Sequence, residues 1–466
     1  MKIALIRCPC IKPDYPPDIG LGYLYSFLTN FGHEVFVFDF NIEIFHKVDI
    51  KNQKRWLDRN LSTWELNQAG EEICTAYLEH CVKRIINSKA RIVGFSVWGS
   101  NVSFSLSVAK KIKDADKSII IVFGGPECYP LLAGKDLIKL YYVDIVVYGE
   151  GELTLKEIVD SVEAGKLLEY YPGVIIKNNG SYLKCSDREP LHNLDAVPFP
   201  DYRQFPINLS LNRDTLFISS GRGCIRKCVY CDVPGTIPLF RSRSAHSLFE
   251  EIKCQINRHP DVKKFEFASP ALNSNLKELL KLCELIYENK IEVYWTGNAI
   301  MRPEMDSNIL KKMKDAGCSS LTFGLESGSQ KILDKMGKMI KVEDAEIILR
   351  DCYSLNISVT VNFIIGFPGE DDKNFEETLG FIERNRRYIN HVGAHSTCWV
   401  RPYSAMFNNP EKFGIVLPSI KETNVTICDW HDKESEENTY EARERRRKQL
   451  TQFIKSLGLE MDYDKT

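Results

Sequence analysis

Short, almost wholly apolar runs alternate with stretches of helical period through the first third of the chain. KIALIR (2–7), EVFVFDF (34–40), ARIVGFSV (90–97), SIIIVFGG (118–125) and VDIVVYGEGE (143–152) read as strands. Helical stretches run from about Tyr23 to Asn30, over 69–88 and through SLSVAKKIKDA. Strands apolar on both faces, separated by amphipathic helices, predict a doubly wound parallel sheet. Glycines and small polar residues gather at the strand C-termini, at Ser96 to Asn101, Gly124 to Glu127 and Gly149 to Glu152. That edge is where open sheets of this kind bind ligands, although each glycine taken singly also serves as a simple chain reversal.

The rhythm breaks between 171 and 214. GVIIKNNGSYLKC predicts a β-hairpin turning at Asn178-Asn179-Gly180, and LHNLDAVPFPDYRQFP reads as an interdomain linker. Strand–helix units then resume. TLFISS (215–220), KKFEFAS (263–269), IEVYWTG (291–297), SSLTFGLES (319–327), ISVTVNFIIGFPGE (357–370) and HVGAHSTCWV (391–400) are six strands with intervening helices. They predict a partial parallel barrel over 215–405 with chemistry at its C-terminal strand ends. The segment 406–466 ends in a charged helix, EARERRRKQL, whose interleaved Glu and Arg predict a solvated face.

Composition narrows the class. The 466 residues are 44% apolar and 27% charged, as in ordinary globular enzymes. A net charge of −2 offers no electrostatic case for nucleic acid or an anionic membrane. No apolar run approaches the roughly 20 residues that span a bilayer. The opening MKIALIRCPC reads as a buried strand, not a signal peptide. Fifteen cysteines, mostly inside apolar runs, argue for a reduced cytoplasm over a disulfide framework.

Three of those cysteines carry the chemistry. Cys224, Cys228 and Cys231, in GRGCIRKCVYC, follow the first barrel strand and fall on the expected active-site end. Three thiolates on a tight loop grip three corners of a cubane iron–sulfur cluster and leave the fourth iron open. The competing zinc knuckle needs four ligands, usually two close pairs, and no second pair follows.

The CxxxCxxC loop resembles that of the radical S-adenosylmethionine (SAM) superfamily, as do LTFGLESGSQKILDKMGK (321–338) and VNFIIGFPGE (361–370). The first third, with PPDIGLGYL, IIIVFGGPE and VVYGEGE, is similar to the cobalamin (B12)-binding domain that precedes many such barrels. The resemblance implies a Rossmann-like cobalamin domain over 1–170, a hairpin and linker over 171–214, a (β/α)6 TIM-type barrel over 215–405 and a C-terminal segment.

It also implies residue roles. Cys224, Cys228 and Cys231 would ligate a [4Fe-4S] cluster whose open iron chelates SAM. Tyr230 would lie against adenine, Glu326 would hold the ribose hydroxyls with Ser327 beside it, and Ile365 and Gly366 would read the adenine edge. Loop packing and an N-cap are the bland accounts of Tyr230 and Glu326. The family's acidic or amide contact to the SAM amino group is missing here; Ser269 or Asn273 stands nearest. Arg302 is a candidate partner for the SAM carboxylate. Cobalamin would lie on Pro17, Gly20, Gly22, Ser96, Trp98, Gly124, Gly125, Pro126, Glu127, Tyr148, Gly149, Glu150 and Gly151. The Asp-x-His-x-x-Gly motif that puts His on cobalt is absent, and the loop from Cys8 to Gly22 has no His. Trp98 is a candidate cover for the lower cobalamin face. His395, Cys398 and Tyr403 are candidates to line the pocket.

The activity so implied is methylation of an unactivated carbon through a 5′-deoxyadenosyl radical and methylcobalamin. Partners would be a small-molecule or peptide substrate and an electron donor such as flavodoxin or ferredoxin. Two other readings stay open: a radical SAM cyclase, rearrangement enzyme or oxidoreductase without methyl transfer, and a non-enzymatic cobalamin or cluster sensor.

Overall fold

The computed structural model describes every residue except 10–14, 59–62, 167–169, 179, 419–426, 434–435 and 462–466. The hairpin turn expected at Asn178-Asn179-Gly180 and part of the loop from Cys8 to Gly22 therefore lie outside the described residues. The chain divides into two compact units, Met1–Phe217 and Ile218–Thr466.

The first unit is built on β1 (Lys2–Arg7), β2 (Glu34–Asp39), β3 (Ile92–Ser96), β4 (Ile120–Gly124), β5 (Ile145–Val147), β6 (Val174–Asn178) and β7 (Ser181–Lys184). They lie in the order β2-β1-β3-β4-β5-β6-β7. The first five pair in parallel, and β6 and β7 add antiparallel. Strand β1 is buried from Ile3 to Arg7 and β3 from Ile92 to Phe95, which is why both read as unbroken apolar runs. The hairpin expected between domains instead extends this sheet, because Val174, Ile175 and Ile176 are buried against β5. Helix Ile19–Asn30 starts four residues before the expected Tyr23, since Asp18 caps it by accepting from the Leu21 amide at 3.0 Å. The helical stretch over 69–88 is two helices, Thr63–Cys74 and Leu78–Asn87, joined by a 3₁₀ turn. The switch point of the parallel order lies between β1 and β3, where the C-terminal strand ends open a crevice.

The second sheet runs β8 (Thr215–Ile218), β9 (Lys264–Phe267), β10 (Tyr294–Ala299), β11 (Cys318–Glu326), β12 (Ser358–Ile365) and β13 (His391–Thr397), with a short β14 (Glu460–Met461) beyond β13. Strands β9 to β13 pair in parallel with helices between them, the expected open barrel. The β14 strand, parallel to β13, had no signal in the apolar pattern.

The C-terminal helix Tyr440–Ser456 corrects one expectation. Its Arg run is a wet face only in part: Arg445 and Lys448 are exposed, but Arg443 and Arg446 are fully buried, alongside Ala442, Leu450 and Ile454. Arg443 donates to the carbonyls of Asn438, Cys428 and Trp430 at 2.6–2.7 Å and lies 3.9 Å above the Trp430 ring. Arg446 pairs with Asp372 at 2.8 Å and reaches Glu370 at 4.0 Å. Buried cations persist where carboxylates and carbonyls surround them, and only the fold brings these together. Among the described residues, no helix is long and apolar enough to cross a membrane.

Candidate functional site

After β8 the chain makes a two-residue antiparallel pair, Gly221–Arg222 with Arg241–Ser242, and the cysteine loop lies between them. Gly223 has φ +80°, and a side chain there would meet the Leu239 carbonyl at 2.8 Å, so the entry to the loop demands glycine. Cys224, Cys228 and Cys231 are each half-buried, whereas most described cysteines elsewhere are buried. The Cys231 amide donates to the Cys228 carbonyl at 3.1 Å, tightening the loop. Backbone bonds from the Val229 amide to Met336 and from the Met406 amide to Val229 clamp it from both sides, at 3.1 and 3.0 Å. Burial pushes the Cys228 thiol up, partly offset by Lys338, and pushes Cys231 up to about 11.

Two side chains, Glu326 and Lys338, face this loop and meet its Tyr230. Strand β11 breaks register with β12 between Gly324 and Glu326, and Glu326 sits at φ +79°. A bulge of this kind re-aims a side chain, and a non-glycine residue held there is strained. Lys338 Nζ donates to Glu326 Oε1 at 3.4 Å and to Tyr230 Oη at 3.3 Å, with both ionic side chains 11% exposed. Burial first, and the nearby Glu326 and Cys228 next, hold the Tyr230 phenol far above its usual range. Tyr230 stays neutral, Lys338 supplies the positive charge and Glu326 the negative one. Sequence reasoning did not assign Lys338. It closes the quoted run LESGSQKILDKMGK, and the left-handed Gly337 at φ +68° ends the helix Gln330–Met336 just before it.

Other expected residues are committed elsewhere. Ser269 Oγ accepts from the Ser220 amide at 2.9 Å and from Ser220 Oγ at 3.0 Å, shaping the chain that leads into the cysteine loop. Asn273 brackets Ile300, donating to its carbonyl at 2.7 Å and accepting from its amide at 2.9 Å. Arg302 pairs with Glu304 at 2.9 Å and binds the Asn273 carbonyl. Ser327 is buried against Thr378 Oγ1 at 3.2 Å. The Ile365 carbonyl accepts from the Cys398 amide at 2.7 Å. Gly366, expected at the adenine edge, has both backbone groups engaged within the protein. Its amide donates to Glu370 Oε2 at 2.5 Å, its carbonyl accepts from Asn438 at 3.2 Å, and the Arg443 stem fills the space a side chain would need. His395 and Cys398 are buried in β13 and just beyond it, while Tyr403 sits in a left-handed turn at φ +71°.

In the first unit, the loops after β3, β4 and β5 present a mostly backbone edge. Gly20, Trp98, Gly125, Pro126 and Gly149 are exposed. Gly125 has φ +113°, and a side chain there would strike the Val97 carbonyl at 2.7 Å. Glu127 is partly buried, which raises its carboxyl. Ser96 donates to Asp18 at 2.9 Å, and the Val97 amide binds the Gly124 carbonyl at 2.7 Å. The Tyr148 hydroxyl donates to the Cys185 carbonyl at 2.9 Å. Pro17 is buried, and Gly22 packs against Pro200 and Tyr202. Glu150 accepts from the Leu191 amide at 3.1 Å, and Gly151 begins the helix Gly151–Glu163.

The model for the Radical SAM superfamily matches residues 218–382, and that for the B12 binding domain matches 10–159. The chain carries a radical SAM domain and a B12-binding domain. An uncharacterized methyltransferase, PH0819, of Pyrococcus horikoshii is 28% identical over 298 residues, which cover 63% of this chain and 64% of that relative. This chain thus matches less than two thirds of that relative's length. The solved structure of the cobalamin-dependent SAM radical enzyme OxsB superposes with a TM-score of 0.74 at 15% identity, covering 98% of this chain and 67% of OxsB. That of TsrM, a radical SAM methyltransferase from Kitasatospora setae, gives 0.66 at 16% identity over 90% of this chain and 78% of TsrM. At these identities the superpositions establish the shared fold.

The cofactors of a radical SAM protein with a B12-binding domain are a [4Fe-4S] cluster, SAM and cobalamin. The residues present fit them. Thiolates that each grip a separate iron need not converge on one point. Among the described residues, no three His, Cys, Asp or Glu side chains gather to hold a single ion. An ammonium within 3.4 Å of both a phenol and a carboxylate completes a set that matches an aromatic base, a diol and an amino-acid carboxylate. Exposed glycines at the switch-point edge allow close backbone approach by a large planar ligand.

Proposed function

We propose that this protein is a cobalamin-dependent radical SAM methyltransferase that acts on an unactivated carbon of a small molecule or peptide. The observation that carries the reading is the meeting of Tyr230, Glu326 and Lys338 beside the cysteine loop, at the end of the barrel where β11 finishes. When bound, the cofactors supply one-electron cleavage of SAM and a transferable methyl group, chemistry that no side-chain base reaches.

The chain's own residues bind, orient and exclude water. Cys224, Cys228 and Cys231 hold the cluster and leave one iron open for SAM. Tyr230 lies against adenine, Glu326 accepts from the ribose hydroxyls, and Lys338 offsets the SAM carboxylate in place of Arg302, which Glu304 already neutralises. Ser269 and Asn273 act through the loops they brace. Residues 1–170 would take the cobalamin on the edge formed by Gly125, Pro126 and Gly149, where Trp98, 41% exposed, would help cover it. Residues 171–214 extend and complete that unit, 215–405 form the barrel, and 406–466 seal its last strands.

The test is anaerobic reconstitution with iron, sulfide, cobalamin and methyl-labelled SAM under a reductant. Label on cobalamin together with 5′-deoxyadenosine is the expected result. Deoxyadenosine with no methylated cobalamin overturns methyl transfer in favour of another radical outcome. Absence of both overturns the enzyme reading.

A further inference from the structure

The cysteine loop has two faces. The inner one carries Tyr230 toward Glu326 and Lys338. The outer one carries Ile225, 40% exposed, followed by Arg226 and the exposed Lys227. Met339, 73% exposed, joins this surface, for Arg226 Nη1 lies 3.2 Å from its sulfur. Lys227 is held beside it, with its carbonyl 3.8 Å from where a side chain on Gly337 would begin.

Charge marks this surface off from its surroundings. Nearby cations have carboxylate partners: Arg302 has Glu304, Arg401 has Asp232 and Lys338 has Glu326. Among the described residues, neither Arg226 nor Lys227 forms an ion pair. Glu304 feels Arg226 only at longer range. Two large apolar side chains in the open, flanked by two cations that form no close ion pair, make a small surface with an apolar centre and a basic rim. Its complement is acidic. Ile225, Arg226 and Lys227 lie between Cys224 and Cys228 in the chain, so a carrier docked on them stands beside a cluster held by those thiolates.

We propose that Ile225, Arg226, Lys227 and Met339 form the docking surface for an acidic protein that carries one-electron reducing equivalents. The inference rests on the reading above that the loop holds a redox cluster. The transfer is a single electron: the reduced carrier is oxidised by one, the cluster is reduced by one, and no atom moves. Encounters of this kind bury little area and gain their rate from charge steering, so they are sensitive to salt. RNA is the other polyanion such a rim attracts, but it does not account for a rim set within the cysteine loop.

The experiment compares wild type with the double variant Arg226→Glu/Lys227→Glu, and separately with Met339→Ala, in the reconstituted full-length protein. The readout is 5′-deoxyadenosine formation driven either by reduced flavodoxin or by dithionite. The double variant is expected to lose about tenfold or more of the flavodoxin-driven rate at low ionic strength, with the gap closing as salt rises. Met339→Ala is expected to lose a few-fold. Iron content and the dithionite-driven rate are expected to hold in both. An unchanged flavodoxin-driven rate overturns the proposal, as does a parallel fall under dithionite, which would place these residues at the cluster or at a polyanionic substrate. A wild-type protein that turns over with dithionite and not with flavodoxin also overturns it. Failure of wild type under both reductants counts against the enzyme reading itself.

Discussion

In the first unit, the loops that crown the parallel strands are shaped by backbone. Gly125 turns under Val97, Gly149 stands in open space, and the polar side chains at that edge, Ser96, Tyr148 and Glu150, bond inward to Asp18, Cys185 and Leu191. In the second unit the corresponding edge is crowded with ionisable groups: three thiols, Tyr230, Glu326 and Lys338. One edge offers shape and the other offers charge. A large ligand held mainly by shape needs turns that let the backbone approach. A small zwitterionic ligand beside a metal cluster needs fixed charges in a dry site. Both edges arise from the same strand–helix repeat, so architecture alone did not assign their chemistry.

The comparison is broken most severely at the thiols. Cys228→Ala is expected to retain fold but to lose bound iron and all SAM cleavage, measured by iron analysis and 5′-deoxyadenosine assay. A variant that still cleaves SAM removes the cluster reading. Next in size is Arg446→Ala, which strips a buried carboxylate of its cation and is expected to cost about 3 kcal/mol in denaturant unfolding. Arg446→Lys should recover part of that. A loss under 1 kcal/mol would mean that the C-terminal helix is not integral to the barrel.

Lys338→Met is expected to raise the KM for SAM about 10- to 100-fold, as for one lost charge-assisted hydrogen bond, with cluster content unchanged. Equal damage to kcat alone would point away from ground-state binding. In the first unit, Gly125→Ala forces a side chain against the Val97 carbonyl at positive φ and is expected to destabilise by about 2 kcal/mol. It should weaken cobalamin retention on gel filtration while SAM cleavage persists.

Glu370 gives the smallest and most diagnostic effect. Burial raises its carboxyl to about 7, against the opposing pull of the Gly366 amide and Arg446. A carboxyl whose folded pKa exceeds its unfolded value binds more protons in the native state, so its contribution to stability falls as pH rises from about 4.5 to 7. Glu370→Gln should remove that slope and gain on wild type by about 1 kcal/mol or more across the window. Parallel pH–stability curves would show that the group is not raised.

Legibility varied with the range of the interaction. The parallel order of the first strands, the barrel strands β9 to β13 and the cysteine loop all follow from local periodicity or spacing. Lys338 was visible as a letter in a motif but not as a partner, since only the bulge at Glu326 and the left-handed turn at Gly337 aim both groups at Tyr230. Ser269, or Asn273 in its place, and Gly366 were expected at the ligand. Their hydrogen bonds to Ser220, Ile300, Glu370 and Asn438 were not legible in the motif. The Arg run looked solvated because its Glu neighbours matched it along the helix. The partners of Arg446 lie far away in sequence, at Glu370 and Asp372.

By itself the sequence determined where strands and helices alternate and which thiols share a loop, because apolar period and ligand spacing are properties of neighbouring residues. Tertiary structure alone decided which charges meet, which arginines leave water and whether a hairpin joins a sheet or bridges domains. Those outcomes depend on desolvation and pairing between segments tens to more than a hundred residues apart, and no local pattern encodes that balance.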